Sequence, residues 1–308
     1  MKHLFIINPA AGSSDHTAEY SAEIRTICEA RRLNYEIRVS MGPGDCASIA
    51  KEAAQTGEEL RIYACGGDGT LNEVVTGTAG FPNAAVTVFA GGSGNDFVRM
   101  FDNPKAFTDL NQLLDAREEQ FDLIRVNDDY AFNICSVGLD ARIGTDVSSY
   151  KRIPLLQGFR AYLVSTLVNV IRGIGEHYNI EINGRRIDGE YTMVCVCSGQ
   201  YYGGGFHPVP EADPRDGKLE VLLVEKVSRL KVAGIIAKYK SGRYRELPDI
   251  VQHFTTDHLT IRCDADTAIN LDGELRRSKV IDISVAAEKV RFFYPKCTNL
   301  VIKQPVTQ

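Results

Sequence analysis

The chain has 308 residues, 44% hydrophobic and 24% charged, a globular composition with length for roughly two domains. A net charge of −5 leaves no bulk electrostatic case for a nucleic-acid partner. The most apolar long stretch, 155–174, is interrupted by Gln157, Arg160, Asn169 and Arg172 and falls short of the ~20 apolar residues of a membrane span. The apolar start Leu4–Ile7 is broken by Asn8-Pro9 too early for a signal peptide, so a cytoplasmic chain is expected.

In chain order, Leu4–Ile7 reads as a strand and Thr17–Arg32 as a helix with Tyr20, Ile24, Ile27 and Cys28 on one face. Asn34–Val39 is a strand, Cys46–Gln55 a helix, Arg61–Cys65 a strand, the segment around Asn72 a helix and Ala85–Ala90 a strand. This alternation predicts a parallel sheet flanked by helices, a three-layer α/β domain over 1–125. From about Phe121 the pattern changes. FDLIRVNDDYAFNICSVG reads as two strands about an Asn-Asp-Asp turn, and YNIEINGRRIDGEYTMVCVC as a hairpin turning at Asn183-Gly184. Strands are also expected at Leu219–Val224 and in HLTIRC, AINLDGEL and VIDISVA, with helices at Leu155–Ile174 and Leu230–Lys240. Together these predict an antiparallel β-sandwich domain over 126–289. The eight cysteines include no CxxC pair. Cys195-Val-Cys197 places two thiols on one strand face, where small buried thiols are expected. The six histidines lack metal-ligand spacing.

Each parallel strand of the first domain is followed by a glycine-bearing loop: NPAAG (8–12), MGPGDCA (41–47), GGDGT (66–70) and GGSGNDF (91–97). Ligands of open α/β sheets bind beyond the carboxyl ends of the strands. Between a strand and a helix, Gly66–Thr70 offers backbone N–H groups and a positive helix end to an anion such as phosphate. Asp68 is out of place in a loop that only holds anions. It fits if Mg²⁺ lies between its carboxylate and the phosphates. Gly42-Pro43-Gly44-Asp45-Cys46-Ala47 matches a GxGxxA dinucleotide fingerprint but follows the second strand, without an acid at the right distance, and reads as a coincidental turn. A Walker-type P-loop is absent.

NPAAG, GGDGTLNEV and GGSGNDFVR, joined by FDLIRVNDDYAFNICSVGLDA, PVPEADPRDGKLEV and INLDGE, resemble the diacylglycerol kinase catalytic-domain family in the family's own order. GGDGT also occurs in NAD kinases; its combination with NDF and LDGE is specific. The resemblance implies ATP- and Mg²⁺-dependent phosphorylation of a lipid hydroxyl in a cleft between two domains, with the segment from about 290 to 308 returning to the first. It implies that Asn8, Pro9, Ala10, Ala11 and Gly12, with Gly66, Gly67, Asp68, Gly69, Thr70, Leu71, Asn72 and Ser93, bind ATP. By the same resemblance Asp68, Asp96 and Asp122 form an acidic network around catalytic Mg²⁺. Asp272 accepts the proton, with Glu274 beside it, and Asp213, Asp216 and Lys218 hold a structural Mg²⁺, the first and last through their carbonyls. The chain departs from the family pattern at Ser13, where a basic residue is frequent, at Ser93, where threonine is usual, and at Ala90, where proline is usual; Arg99 reads either as a substitute cation or as a helix-capping or surface residue.

On the lipid side, Leu156, Phe159, Leu163, Leu167, Val170 and Ile174 form one helical stripe, read as packing against the β-domain or as an interfacial wall with Lys151, Arg152, Arg160 and Arg172 at anionic head groups. Tyr201–Phe206 is an aromatic, glycine-rich loop. The expected partner is a lipid at a membrane surface, bound peripherally, and a homodimer is one assembly the sequence allows. An NAD kinase and a catalytically inactive nucleotide- or lipid-binding regulator are the rival readings. The first is disfavoured by NDF and DPRDG, the second by the presence of both Asp68 and Asp272.

Overall fold

A computed structural model describes residues 1–12, 14–91, 95–139, 141–142, 175–228 and 232–303. The helix expected at 155–174, the basic residues Lys151 and Arg152, and Ser13 and Ser93 lie outside the described residues. The chain divides into two compact units: Met1–Leu123 with Ala287–Val301, and Ile124–Ala286 with Ile302–Gln308. The returning segment of the first unit thus ends at Val301, short of the expected 308, and the Lys303 amide donates to the Pro210 carbonyl of the second unit.

In the first unit β1 (Lys2–Ile7), α1 (Thr17–Ala30), β2 (Tyr35–Val39), α2 (Asp45–Ala54), β3 (Leu60–Gly66), α3 (Asp68–Thr78) and β4 (Ala84–Ala90) alternate as the periodicity predicts. The order across the sheet is β4-β3-β1-β2, all parallel, and the last residues of a later strand add beside β4 through Arg291 and Phe292. β4 is buried at all seven positions and β1 at five of six. Both read as continuous apolar runs because both sheet faces are covered. Phe5 stacks on Tyr63 at 4.3 Å, and Phe97, Phe121 and Phe292 pack together at 5.1–6.1 Å between centroids. The 3₁₀ turns at Phe97–Met100 and Pro104–Thr108 and the short helix α4 (Leu110–Leu114), capped by Asp109, are additions that the sequence reading left unassigned.

The second unit is antiparallel. β5 (Arg117–Val126), whose last residues enter this unit, pairs with β6 (Asp129–Ala131) across Asn127-Asp128, and β7 (Ile134–Gly138) is a third strand where two were expected. β8 (Glu176–Ile182) and β9 (Arg185–Cys197) form the Asn183-Gly184 hairpin, both turn residues at positive φ as its geometry requires. β10 (Leu219–Glu225), helix α5 (Val232–Lys240), β11 (Val251–Thr256), β12 (His258–Leu271) and β13 (Glu274–Tyr294) follow. β9 and β12 are long enough to pair with β8 in one half and with β7 in the other. Strict alternation on β9 builds two cores: Val194 and Val196 face Tyr178, Ile180 and Leu259, while Met193, Cys195 and Cys197 face Phe206, Tyr239 and Tyr244. The thiols of Cys195 and Cys197 are buried 3.5 Å apart, on the one face that their spacing predicts. Cys297, by contrast, is exposed.

Candidate functional site

The site in the first unit grows from the ends of β1 and β3. Where β1 stops, the Asn8 amide donates to the Cys65 carbonyl at 3.1 Å, binding the first loop to the third. The Asn8 side chain then works in both directions. Its Nδ2 donates to Thr70 Oγ1 at 3.0 Å, and its Oδ1 accepts from the Ala10 amide at 3.0 Å. Thr70 is thereby held under Gly66, where a Cβ would overlap its hydroxyl. The first hydrogen bond of α3 is Leu71 N–H to the Gly67 carbonyl, so the amides of Asp68, Gly69 and Thr70 have no acceptor within the helix. A Cβ on Gly69 would meet nothing within 4 Å, so the fold itself does not demand glycine there. Asn72 is buried in the same turn with its Oδ1 unpartnered. Leu71, expected at the nucleotide, is 2% exposed and belongs to the core.

The second glycine loop is closed to ligand. The Glu73 carboxylate, from the first half of α3, accepts from the Gly44 amide at 3.0 Å and the Cys46 amide at 3.1 Å. The start of α2 therefore already has its anion, supplied by the protein. Two helix starts that look alike in sequence are distinguished by one side chain: α2 is filled and α3 is open.

Asp68, Asp96 and Asp122 each have a partner in the described residues. Asp68 accepts from the amides of Asp96 at 2.9 Å and Phe97 at 3.0 Å, one on each carboxylate oxygen, and so caps the 3₁₀ turn 97–100. Asp96 is buried, with Arg99 Nε 3.3 Å from its Oδ1. Arg99 thus lies beside a carboxylate of its own chain. Asp122 is fully buried and paired with Lys289 Nζ at 2.6 Å. Lys289 stands 167 positions away from it in sequence, and no local signal could have found the pair. Among the described residues no three His, Cys, Asp or Glu side chains are arranged to hold a metal ion. Asp68 and Asp96 meet through the Asp96 backbone amide.

In the second unit Asp272 and Gly273 are the left-handed corner between β12 and β13. The Asp272 carboxylate accepts three backbone N–H groups, from Phe132 (2.6 Å), Asn133 (3.0 Å) and Ile134 (2.7 Å). Asn133 extends this anchor: its carbonyl accepts from the amides of Ser198 and Gly199, and its Nδ2 donates to the Tyr201 carbonyl. The Tyr201–Phe206 loop is thus tied to the Asp272 corner. Tyr201 stacks on His207 at 3.8 Å, and burial, with Lys303 adding to it, lowers the His207 pKa to about 4. Glu274 is exposed, 3.9 Å from Arg276.

The profile of the diacylglycerol kinase catalytic domain matches residues 2–126, and that of the YegS C-terminal NAD kinase beta sandwich-like domain matches residues 133–293. The chain belongs to the diacylglycerol kinase catalytic-domain family. It is 26% identical over 263 residues to a "Putative lipid kinase" of Staphylococcus carnosus (strain TM300), covering 84% of this chain and 85% of that one. A Staphylococcus aureus (strain MRSA252) protein of similar name is 25% identical, with 89% of each chain covered. Two solved structures from Bacillus anthracis str. Sterne share the fold. One, described as a diacylglycerol kinase, has a TM-score of 0.69 at 18% identity, covering 96% of this chain and 97% of that one. The other, described as "a putative diacylglycerol kinase", has a TM-score of 0.74 at 20% identity with the same coverage. No helix among the described residues is long and apolar enough to cross a membrane.

The family is one of kinases, and that class uses a nucleoside triphosphate. Its loops suit one: the three amides at the start of α3, the open space at Gly69 and the unpartnered Asn72 Oδ1 lie in one turn. Mg²⁺ is commonly held by one or two carboxylates together with substrate phosphates and water. Asp68 fits that use, because each of its oxygens accepts one amide and a carboxylate oxygen has two lone pairs. At 213–218 the Asp213 carboxylate is held by Arg215 through Nε at 2.8 Å and Nη2 at 3.0 Å. Asp216 Oδ1 accepts from the Lys218 amide at 2.9 Å. With the Asp213 side chain occupied, an ion there would rest on Asp216 and on the two carbonyls.

Proposed function

We propose that this chain is an ATP- and Mg²⁺-dependent lipid kinase that transfers a phosphoryl group to a lipid hydroxyl. The observation that carries the reading is the contrast between the two helix starts: Glu73 fills α2, whereas the α3 turn keeps its amides and the space above Gly69 open beside Asp68. Phosphoryl transfer asks a protein mainly for positioning and charge stabilisation. Asn8–Gly12 and Gly66–Asn72 orient the phosphates, and Asp68 directs the metal. The metal, when bound, neutralises charge on the phosphates. The bond from phosphorus to the lipid oxygen forms as the bond to the nucleotide's leaving oxygen breaks, and Asp272 receives the hydroxyl proton. The three amides hold the Asp272 carboxylate in place. In a loose transition state the nucleophile needs little deprotonation, so a fixed carboxylate suffices. We further assign a structural Mg²⁺ to the turn of Asp213, Asp216 and Lys218, and a peripheral, cytoplasmic-side encounter with a membrane to bring the lipid. Similarity to proteins named as lipid kinases supports the substrate class.

The test is transfer from γ-labelled ATP to mixed membrane lipids and, separately, to NAD⁺, for the wild type and Gly69→Val. Label in the organic phase, lost in Gly69→Val without a fall in melting temperature, is the expected result. Label on NAD⁺ alone would select the NAD kinase reading, and label in neither would select the inactive regulator.

A further inference from the structure

Tyr20 stands in the first turn of α1 and reads in sequence as one more residue on the packing face of that helix. Its ring does pack, edge-on to Phe89 at 5.0 Å. Its hydroxyl does something else. It lies against the Cα of Gly91, where any Cβ would overlap it. Gly91 is not at positive φ, so its backbone conformation does not require glycine; what excludes a side chain there is the end of the Tyr20 side chain, its oxygen and the ring carbon that bears it. Gly91 in turn joins the loops. Its amide donates to the Gly66 carbonyl at 2.9 Å, and its own carbonyl is 3.3 Å from where a Cβ on Gly12 would stand. One phenolic O–H is therefore set at the meeting of the first, third and fourth glycine loops. It makes no hydrogen bond to any described residue and is not among the unpartnered polar atoms sealed from solvent.

We propose that the Tyr20 hydroxyl donates a hydrogen bond to a phosphate oxygen of the nucleotide held by these loops, an inference that rests on the nucleotide reading above. Phenylalanine would pack on Phe89 as well, so packing alone does not call for the hydroxyl that lies at the loops. The first loop, Asn8–Gly12, carries no cation, and the nearby Arg99 is engaged by Asp96. A neutral donor is then what can approach an anion at this point. Burial, with Cys65, Glu23 and Glu19 adding to it, pushes the phenol up to about 12, so it keeps its proton across the working pH range.

Calorimetric titration of ATP, ADP and adenosine into the wild type, Tyr20→Phe and Gly91→Ala tests this. Loss of one hydrogen bond to a charged group predicts roughly tenfold or more weaker binding of ATP and ADP to Tyr20→Phe, with adenosine binding and melting temperature unchanged. Gly91→Ala, which displaces the hydroxyl with a methyl group, should weaken ATP in the same direction. If Tyr20→Phe binds ATP like the wild type, the hydroxyl is only a packing by-product and the inference falls, whatever Gly91→Ala does. An equal loss for adenosine would place the contact on the nucleoside and also overturn it. A wild type that binds no ATP removes the nucleotide reading and this inference together, and so is told apart from failure of the inference alone.

Discussion

Asp272 shows what a single residue can be asked to do twice. By spacing alone Asp272-Gly273 in Leu271–Glu274 reads as a hairpin turn, by the family resemblance as the proton acceptor, and the structure displays the corner. With three amides on its carboxylate, Asp272→Asn is not a silent isostere. One oxygen becomes an NH₂ facing N–H donors, and a hydrogen bond to a charged group worth ~1.5–3 kcal/mol is lost. The melting temperature of Asp272→Asn should therefore fall. If Asp272 also accepts the proton, turnover measured well below both melting temperatures should drop by about 10²–10⁴-fold. A destabilised variant that still turns over near the wild-type rate would leave Asp272 as an anchor for Phe132–Ile134 and nothing more. Asp68 is similarly double: its place at a helix start was legible, but its role as acceptor for the 96 and 97 amides depends on a loop 28 residues away.

Among elements, α2 and α3 carry the main lesson. Both start at glycine-aspartate pairs, but Gly44 is left-handed where Gly67 is extended, and the Glu73 carboxylate occupies only the first. Glu73→Gln removes the charge and leaves one acceptor for two amides, and should cost about 1 kcal/mol, as loss of a helix cap typically does; a thermal melt checks this. The 213–218 turn is closed by Arg215 on Asp213 without an ion. If Asp216 also holds Mg²⁺, Asp216→Asn should abolish any rise in melting temperature that Mg²⁺ gives the wild type. A rise of equal size in both would place the ion elsewhere. Strand boundaries were less legible than strand existence. HLTIRC and AINL are one strand, β12, because the polar run between them is a register shift from Arg262 to Thr267 within a continuing ladder. β11 escaped notice because its Gln252, His253 and Phe254 are all half-exposed and it pairs only with β10, so no apolar alternation marks it.

At the scale of the whole molecule, each unit buries one imidazole that bears on stability. Burial, then Arg61 and the N-terminal amine, lowers the His3 pKa to about 4, and burial, then Lys303, does the same for His207. A histidine unfolds to a value near 6.5, so between about 6.5 and 4 the unfolded chain binds more protons than the folded one, and stability falls as pH falls. Melting temperature should be flat above pH ~7 and decline from about 6.5 downward, before the lowered carboxylates Asp102, Asp282 and Glu118 protonate. His207→Gln should make that decline shallower. An unchanged slope between pH 6.5 and 5 in this variant would assign the loss to other groups. Both units were anticipated from the change of periodicity near residue 121, because a parallel sheet needs crossover helices and an antiparallel one does not.

By itself the sequence determined the alternation of strands and helices in the first unit, the Asn183-Gly184 corner, and the loops that can approach an anion. These are local properties: apolar period, turn chemistry and the missing Cβ of glycine act within a few residues. Tertiary structure alone decided which helix start stays open, that Lys289 pairs with Asp122, and that the Tyr20 hydroxyl reaches Gly91. Each of those rests on a pair 27 to 167 positions apart or on a contact between separate elements, and no window of sequence contains the geometry that brings such partners within reach.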